Sequence, residues 1–449
     1  MSIKFKLFSL AGAAMLAASP AQAVDLVGVY DLAKDSDPRL KAADFRRQAT
    51  GENRRIARAN LLPQIGASAA WSWGNGETSI GSFDLPDSDI DTQNYSATVV
   101  QSLYRQANYE QLDIARSQIT QADAIYQVAY QDFLLRVSER YFLVLTYVDG
   151  VTFAEAEEKA FQRQYEQAQQ RFEVGLTAVT DVYEARASYD NARARAIVAR
   201  NNLADAKEAL REIAGQYFDE YDALQEVLPL VEPDPLNDEQ WVQLAMQNNP
   251  AVLSSRAALE TAEASMRLAR SGYFPTLDLR GTLSRFENDK YRFNNPITGE
   301  TLESTLQADD AQLTLRLDVP LYQGGRVNAQ TKQARFLMDA AGQDLDDIQR
   351  AAMRETRNAY RAVLAGIQEV QAFEQASISA EKALEATQAG FEVGIRTIVD
   401  VLIAEQRKFQ AKRDNSVARH AYILRHLQLK SVAGLLNADD LRLVNQLLE

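Results

Sequence analysis

Four segments of the chain alternate between apolar and polar side chains. From Gln64 to Trp73, Ile65, Ala67, Ala69, Trp71 and Trp73 share one face, and Gln64, Gly66, Ser68, Ala70 and Ser72 share the other. From Asn94 to Leu103, Tyr95, Ala97, Val99 and Leu103 alternate with Asn94, Ser96, Thr98 and Ser102. Residues 276–287 carry Leu277, Leu279 and Leu283 against Thr276, Asp278, Arg280, Thr282 and Ser284. Residues 311–321 carry Ala311, Leu313, Leu315, Leu317 and Val319 against Gln312, Thr314, Arg316 and Asp318. A period of two over about ten residues marks a transmembrane β-barrel strand, apolar toward lipid and polar toward a wet lumen. Trp71, Trp73 and Tyr95 are then lipid-facing aromatics. Half-buried hairpins on a soluble domain would explain one such segment, but four together favour the membrane. Polar loops of around twenty residues, Gly74 to Gln93 and Asn288 to Asp310, join the two strand pairs.

The rest of the pattern is helical. Two long proline-free stretches run from Tyr104 to Phe172 and from Tyr322 to Phe391. At 1.5 Å per residue, roughly 70 helical residues reach on the order of 100 Å. Ile119, Ala122, Ile125, Ala129, Phe133, Val137 and Tyr141 recur three or four apart as one apolar stripe. Gly175 and Gly394 stand where each helix turns back, because glycine tolerates the left-handed conformation that ends helices. Shorter helices open at Asp37-Pro38 and Asn249-Pro250 and stop at Leu62-Pro63 and Phe274-Pro275.

The two halves repeat one another. Phe172, Glu173, Val174, Gly175, Asp181, Val182 and Ala185 recur 219 positions later as Phe391, Glu392, Val393, Gly394, Asp400, Val401 and Ala404. So long a period means two structural halves rather than a solenoid. The expected layout is a cleaved signal peptide over 1–23, a first repeat over 24–215 and an irregular segment over 216–239. A second repeat over 240–436 and a C-terminal tail over 437–449 complete it. The signal peptide rests on Lys4 and Lys6, the short apolar run Leu7 to Ala18 and the Ala21-Gln22-Ala23 cleavage pattern.

Composition narrows the function. There is no cysteine, which excludes disulfides, thiolate metal sites and an acylated N-terminal cysteine. A net charge of −14 argues against nucleic acid as a partner. No later apolar run approaches the roughly 18 residues of a transmembrane helix, so a crossing must be made by strands. Four strands cannot close a barrel, and an open edge cannot sit in lipid with unpaired backbone groups. The chain must therefore oligomerise. Two copies give eight strands, whose interior fills with side chains; three give twelve, wide enough for water.

With these features together, the chain resembles the TolC family of outer-membrane efflux and secretion channels. The likeness is tightest from Ala386 through Leu436, in TQAGFEVGIRTIVDVL and LKSVAGLLNADDL. It implies a fold that is mainly α with a transmembrane β-barrel portion: a homotrimer with a twelve-stranded barrel and a periplasmic α-helical barrel. It also implies a Gram-negative outer-membrane location with a large periplasmic portion. The expected role is that of a passive exit duct for drugs, toxic small molecules or secreted proteins. A periplasmic adaptor (membrane fusion) protein and an inner-membrane pump of the resistance-nodulation-division or ABC type would dock to it. By position, Asp400 matches the family's constriction aspartate, with Asp181 as its counterpart in the first half, and Ile403 stands where a second acid can occur. Arg396 matches a latch arginine, with Thr180 and Asp181 as partners on the neighbouring hairpin. Phe391 takes the latch tyrosine position without its hydroxyl.

A local role competes for Asp400, since Thr397-x-x-Asp400 reads as a capping box at a helix start. The acids Asp87, Asp89 and Asp91 lack the glycine and terminal glutamate of a calcium loop and read as a solvated tip. His420 and His426, six apart and off a common helical face, read as helix-surface or packing residues rather than ligands. No hydrolase, zinc-protease or nucleotide motif is found, so the expectation is no enzyme, no cofactor and no metal. The competing function is a periplasmic coiled-coil scaffold or tether without a pore.

Overall fold

The computed structural model describes residues 23–449 apart from 77–78, 81–82, 85–87 and 295–297, so most of the expected leader and Asp87 lie outside the described residues. The chain divides into two compact units. One comprises the chain to Leu40, Gln131–Trp241 and Thr356–Glu449; the other comprises Lys41–Tyr130 and Val242–Glu355.

The short helices α1 (Leu26–Ser36), α2 (Pro38–Gly51) and α3 (Asn53–Ala59) lead into β1 (Gln64–Gly76). Two short strands, β2 (Ser79–Ile80) and β3 (Phe83–Asp84), pair with each other, and β4 (Ser88–Arg105) returns antiparallel to β1. Then come α4 (Gln106–Glu173), α5 (Val179–Ala214), α6 (Asp238–Asn248) and α7 (Pro250–Arg270). They are followed by β5 (Thr276–Asn294), β6 (Thr301–Asp318), α8 (Arg326–Glu392), α9 (Ile398–Val432) and α10 (Ala438–Asn445).

The second unit carries one antiparallel sheet in the order β1-β4-β5-β6, so β4 of the first half pairs with β5 of the second. The polar loops expected at Gly74–Gln93 and Asn288–Asp310 are largely strand. Their polar residues still alternate, and pairing with a neighbouring ladder satisfies the backbone, as where Arg285 faces Asp309. At the other end β6 stops at Asp318 rather than residue 321, because Pro320 has no amide to give the ladder. Helix α8 starts at Arg326 rather than Tyr322, after Gly324 and Gly325 turn the chain with positive φ. Glu110 on α4 holds Arg267 of α7 at 2.9 Å, and Asn60 and Asn108 join the α3 end to α4.

In the first unit the core lies along α4, where Phe133, Leu134, Val137, Tyr141 and Phe142 are fully buried against Leu26, Val29 and Tyr30 of α1. The buried Asp37 caps α2 through the Arg39 and Leu40 amides and pairs with Arg136 of α4. The stripe read along α4 is covered only in part. Phe133, Val137 and Tyr141 are buried, whereas Ile125, in the other unit, stands half exposed beside the buried Ala124.

Residues 216–239 lack regular structure over most of their length but are pinned. Tyr221 bridges to Val24, and Leu224 bridges to Leu448. The Tyr422 hydroxyl of α9 accepts from the Val231 amide at 2.7 Å and donates to its carbonyl at 3.0 Å. The residues expected as a tail form α10, closed by an Asn437/Asp440 capping box, with Lys430 on Asp440.

Candidate functional site

Two regions carry functional geometry: the faces of the sheet and the turns of the two helical hairpins.

Register sorts the sheet by polarity. Ala67, Ala97, Leu283 and Ala311 stand in one row; Ile65, Val99, Gly281 and Leu313 stand in the next but one. Leu279 pairs with Leu315 and Leu277 with Leu317 on the same face. Leu313, Leu315 and Leu317 are exposed on the isolated chain. The row above this apolar band holds Ala69, Tyr95, Arg285 and Asp309, and Trp71 stands in the following row of that face, opposite Gln93. Trp71 and Tyr95 meet edge to face with ring centroids 5.8 Å apart, and Trp73 lies exposed two residues further. Arg285 and Asp309 form a two-pronged pair at 2.7 and 2.9 Å. The opposite face presents Gln64, Ser68, Ser96, Thr98, Thr282, Ser284, Gln312 and Thr314. A second aromatic set, missed from the sequence, sits near the other end of the strands: Tyr104, Phe274 and Tyr322 are all exposed. The signal was available, since each flanks a strand end beside a proline or the bulge between Ser102 and Tyr104.

The hairpin turns lie in the other unit. Gly175 and Gly394 have φ of 75° and 79°, and each turn closes through backbone bonds such as Leu176 N to Arg171 O and Ile395 N to Gly390 O. The reversal leaves Val174, Leu176, Val393 and Ile395 strongly exposed. Behind the turns, Phe161, Ala168, Ala185, Ala192, Ile398 and Leu402 form a buried cluster, with Phe391 packed on it. Small alanines let the hairpins approach closely, so one core serves both.

Asp400 completes the capping box. Its carboxylate accepts from the Thr397 amide and hydroxyl, each at 2.9 Å, and Thr397 Oγ1 accepts the Asp400 amide at 3.3 Å. These bonds, with the Arg396 charge adding to them, hold the Asp400 carboxyl below its ordinary value. Asp181 differs: α5 begins after Ala178 without a side-chain cap, and Asp181 takes a bond from the Thr177 hydroxyl. Within one chain the Arg396 guanidinium joins neither Thr180 nor Asp181; its stem lies over Gly390, where a Cβ would meet Arg396 Cγ at 2.9 Å. Phe391 has a partner the sequence did not reveal, Arg171 of α4, whose guanidinium carbon stands 4.7 Å from the ring centroid.

A second tie went unread. Glu157 of α4 is fully buried and receives Arg195 of α5 at 3.0 Å and Arg413 of α9 at 3.2 Å. The only sequence signal was a charge at helical spacing between Ala154 and Phe161. Nearby on α9, burial pushes the Glu405 carboxyl up. His420 Nδ1 meets the Thr146 hydroxyl at 2.8 Å, and burial lowers its imidazole to about 4. Among the described residues no group of three His, Asp or Glu side chains forms a metal site, and no helix is long and apolar enough to cross a membrane.

The sequence model of the outer membrane efflux protein family matches residues 29–216 and 241–435. The chain belongs to that family. TolC of Vibrio cholerae is 38% identical over 94% of this chain and 93% of its own. The alkaline protease secretion protein AprF of Pseudomonas aeruginosa is 28% identical over 96% of this chain and 88% of its own. The solved outer-membrane protein VceC of Vibrio cholerae shares the fold with a TM-score of 0.76, at 18% identity over 91% of this chain and 96% of that one. This efflux-family protein is thus a TolC-type outer-membrane exit duct with a large periplasmic part, in a mainly helical fold.

Proposed function

We propose that three copies assemble into the conducting duct. The observation that carries this is the sheet: it has an apolar face, a polar face and two edge strands, β1 and β6, with no further partner among the described residues. An unpaired edge in hydrocarbon costs several kcal/mol for each unsatisfied group, so β1 of one copy pairs with β6 of the next. Twelve strands then enclose a watery lumen, with Trp71, Trp73 and Tyr95 in the lipid interface. The mature chain is two tandem repeats, 24–215 and 240–436, behind a signal peptide, and the two family-matched stretches support that division. A resistance-nodulation-division or ABC pump supplies the work through a periplasmic adaptor, as membership of the efflux family supports. The exposed tip residues Val174, Leu176, Val393 and Ile395 offer that adaptor an apolar landing.

The closed mouth is narrowed by rings of Asp400 and Asp181, and Arg396 latches to Thr180 or Asp181 of the adjoining copy. Among the described residues of one chain the Arg396 guanidinium makes no hydrogen bond or ion pair, although its charge is felt at Asp400, which supports this. Arg171 over Phe391 ties the two hairpins where a hydroxyl link is missing. The cargo is drugs, toxic small molecules or secreted proteins; among its relatives one is named for protease secretion and another for efflux.

The test is conductance of the purified protein in planar bilayers, together with retention of a cationic dye in cells lacking the gene. Conducting trimers, larger conductance in Arg396→Ala and dye retention reversed by complementation are expected. Conducting trimers without a dye effect point to protein secretion. A protein that never conducts is a tether, and the proposal fails.

A further inference from the structure

Three arginines of the sheet unit, Arg105, Arg280 and Arg316, line a cleft of about 570 Å³ on the polar face near the helical ends of the strands. Two are neutralised. Arg105 pairs with Asp278 at 2.8 Å, and Arg316 pairs with Asp318 at 2.8 Å. The Ser102 hydroxyl takes a further place on Asp278 at 2.9 Å, so that carboxylate is well satisfied. Arg280 is the remainder: exposed, opposite Thr314 of β6 and Val100 of β4, with no hydrogen-bond or ion-pair partner among the described residues. The cleft therefore holds one uncompensated positive charge beside the Thr314 hydroxyl, in a chain whose total charge is −14. The next acid on this face without a partner is Asp310, paired with Ser284. Along β5 that is four residues from Arg280, about 13 Å, beyond the roughly 10 Å Debye length at 0.1 M salt.

We infer that Arg280 forms an anion-attracting collar in the lumen, a station for the carboxylate, phosphate or sulfonate groups of passing solutes. This rests on the polar face lining the lumen of the proposed trimer. Three copies put three guanidiniums at one level, each able to fork onto an oxyanion while Thr314 donates a third bond. Arg316 and Arg105, held by their aspartates, keep the cleft walls polar without competing for the anion.

The chain has no cysteine, so a single introduced thiol reports its own surroundings. Thr314→Cys, directly across the ladder from Arg280, is treated in intact outer membranes with anionic (sulfonatoethyl) and cationic (trimethylammonioethyl) methanethiosulfonates. A unit charge about 7 Å away in water changes the local concentration of a monovalent ion about threefold. Replacing Arg280 by Gln in this background should lower the anionic-to-cationic rate ratio about sevenfold at low salt, and 1 M salt should erase the difference. Conductance of the Arg280→Gln trimer certifies assembly. A thiol that reacts with both reagents at a ratio indifferent to residue 280 overturns the collar and leaves the lumen reading standing. A thiol at 314 that neither reagent reaches removes the lumen reading, and the collar with it.

Discussion

Glu157 offers the sharpest test of how the two helical hairpins of a protomer are held together. Its carboxylate is fully buried, while Arg195 and Arg413 keep 40% and 30% of their side chains exposed. Removing one partner of a buried ion pair costs 3–5 kcal/mol when the other is stranded, but here both arginines can turn to water, so the lower end applies. Glu157→Ala also removes one buried methylene, worth about 0.8 kcal/mol. We expect Glu157→Ala to destabilise the region by about 4 kcal/mol. Glu157→Gln keeps the packing and one acceptor and should cost about 1.5–3 kcal/mol, the usual share of a charged hydrogen bond. Because a chain of two compact units need not unfold in two states, the assay is local: amide exchange of residues 150–164 and 406–420 under native conditions. The Arg195→Ala and Arg413→Ala variants should each show partial loss, and each should couple to Glu157 in a double-mutant cycle. Glu157→Ala exchanging within 0.5 kcal/mol of wild type, the scatter of neutral surface changes, would refute the reasoning. The loosened variant should also flicker open more often in bilayers, since the tie joins α5 to α9 across α4.

Thr397 and Asp400 separate capping from pore charge: Thr397→Ala weakens the helix start yet keeps the acid, whereas Asp400→Ala removes both. Because the Asp400 carboxyl lies below its ordinary value, its contribution is present above the unfolded value near 3.8 and is lost as pH falls through the lower folded value. An acid limb in conductance should therefore appear below pH 3.8, persist in Thr397→Ala and vanish in Asp400→Ala; an identical limb in all three assigns Asp400 to capping alone. His420, neutral when folded, follows the same sign in a higher pH window. Stability is full above pH 6.5, falls as the unfolded imidazole alone gains its proton, and levels off below about 4; His420→Gln should flatten that slope in thermal melts across the window. On the sheet, Leu315→Arg should block trimer insertion at a cost of about 2–4 kcal/mol per copy at the bilayer midplane, while Thr314→Arg inserts normally; equal behaviour in membrane fractionation would reject the assigned faces.

The periodicities decided much of this protein by themselves. A period of two set which residues of β1, β4, β5 and β6 share a face, because side chains in a strand alternate whatever surrounds them. Proline-free stripes and the Gly175 and Gly394 turns located the long helices within a few residues, because their determinants are local in the backbone. Thr397-x-x-Asp400 likewise spans a single turn. What only the tertiary structure decided joins residues far apart in sequence. The continuation of the strands through their polar loops depended on register with a neighbouring strand. The pairing of β4 with β5, which merges both halves into one sheet, brings together segments nearly two hundred residues apart. Arg195 and Arg413 meeting on Glu157, and Arg171 covering Phe391, likewise join different helices. In each case the partner is chosen by packing of the folded helices and sheet, and no local pattern in the chain encodes a contact whose two sides come from different helices or strands.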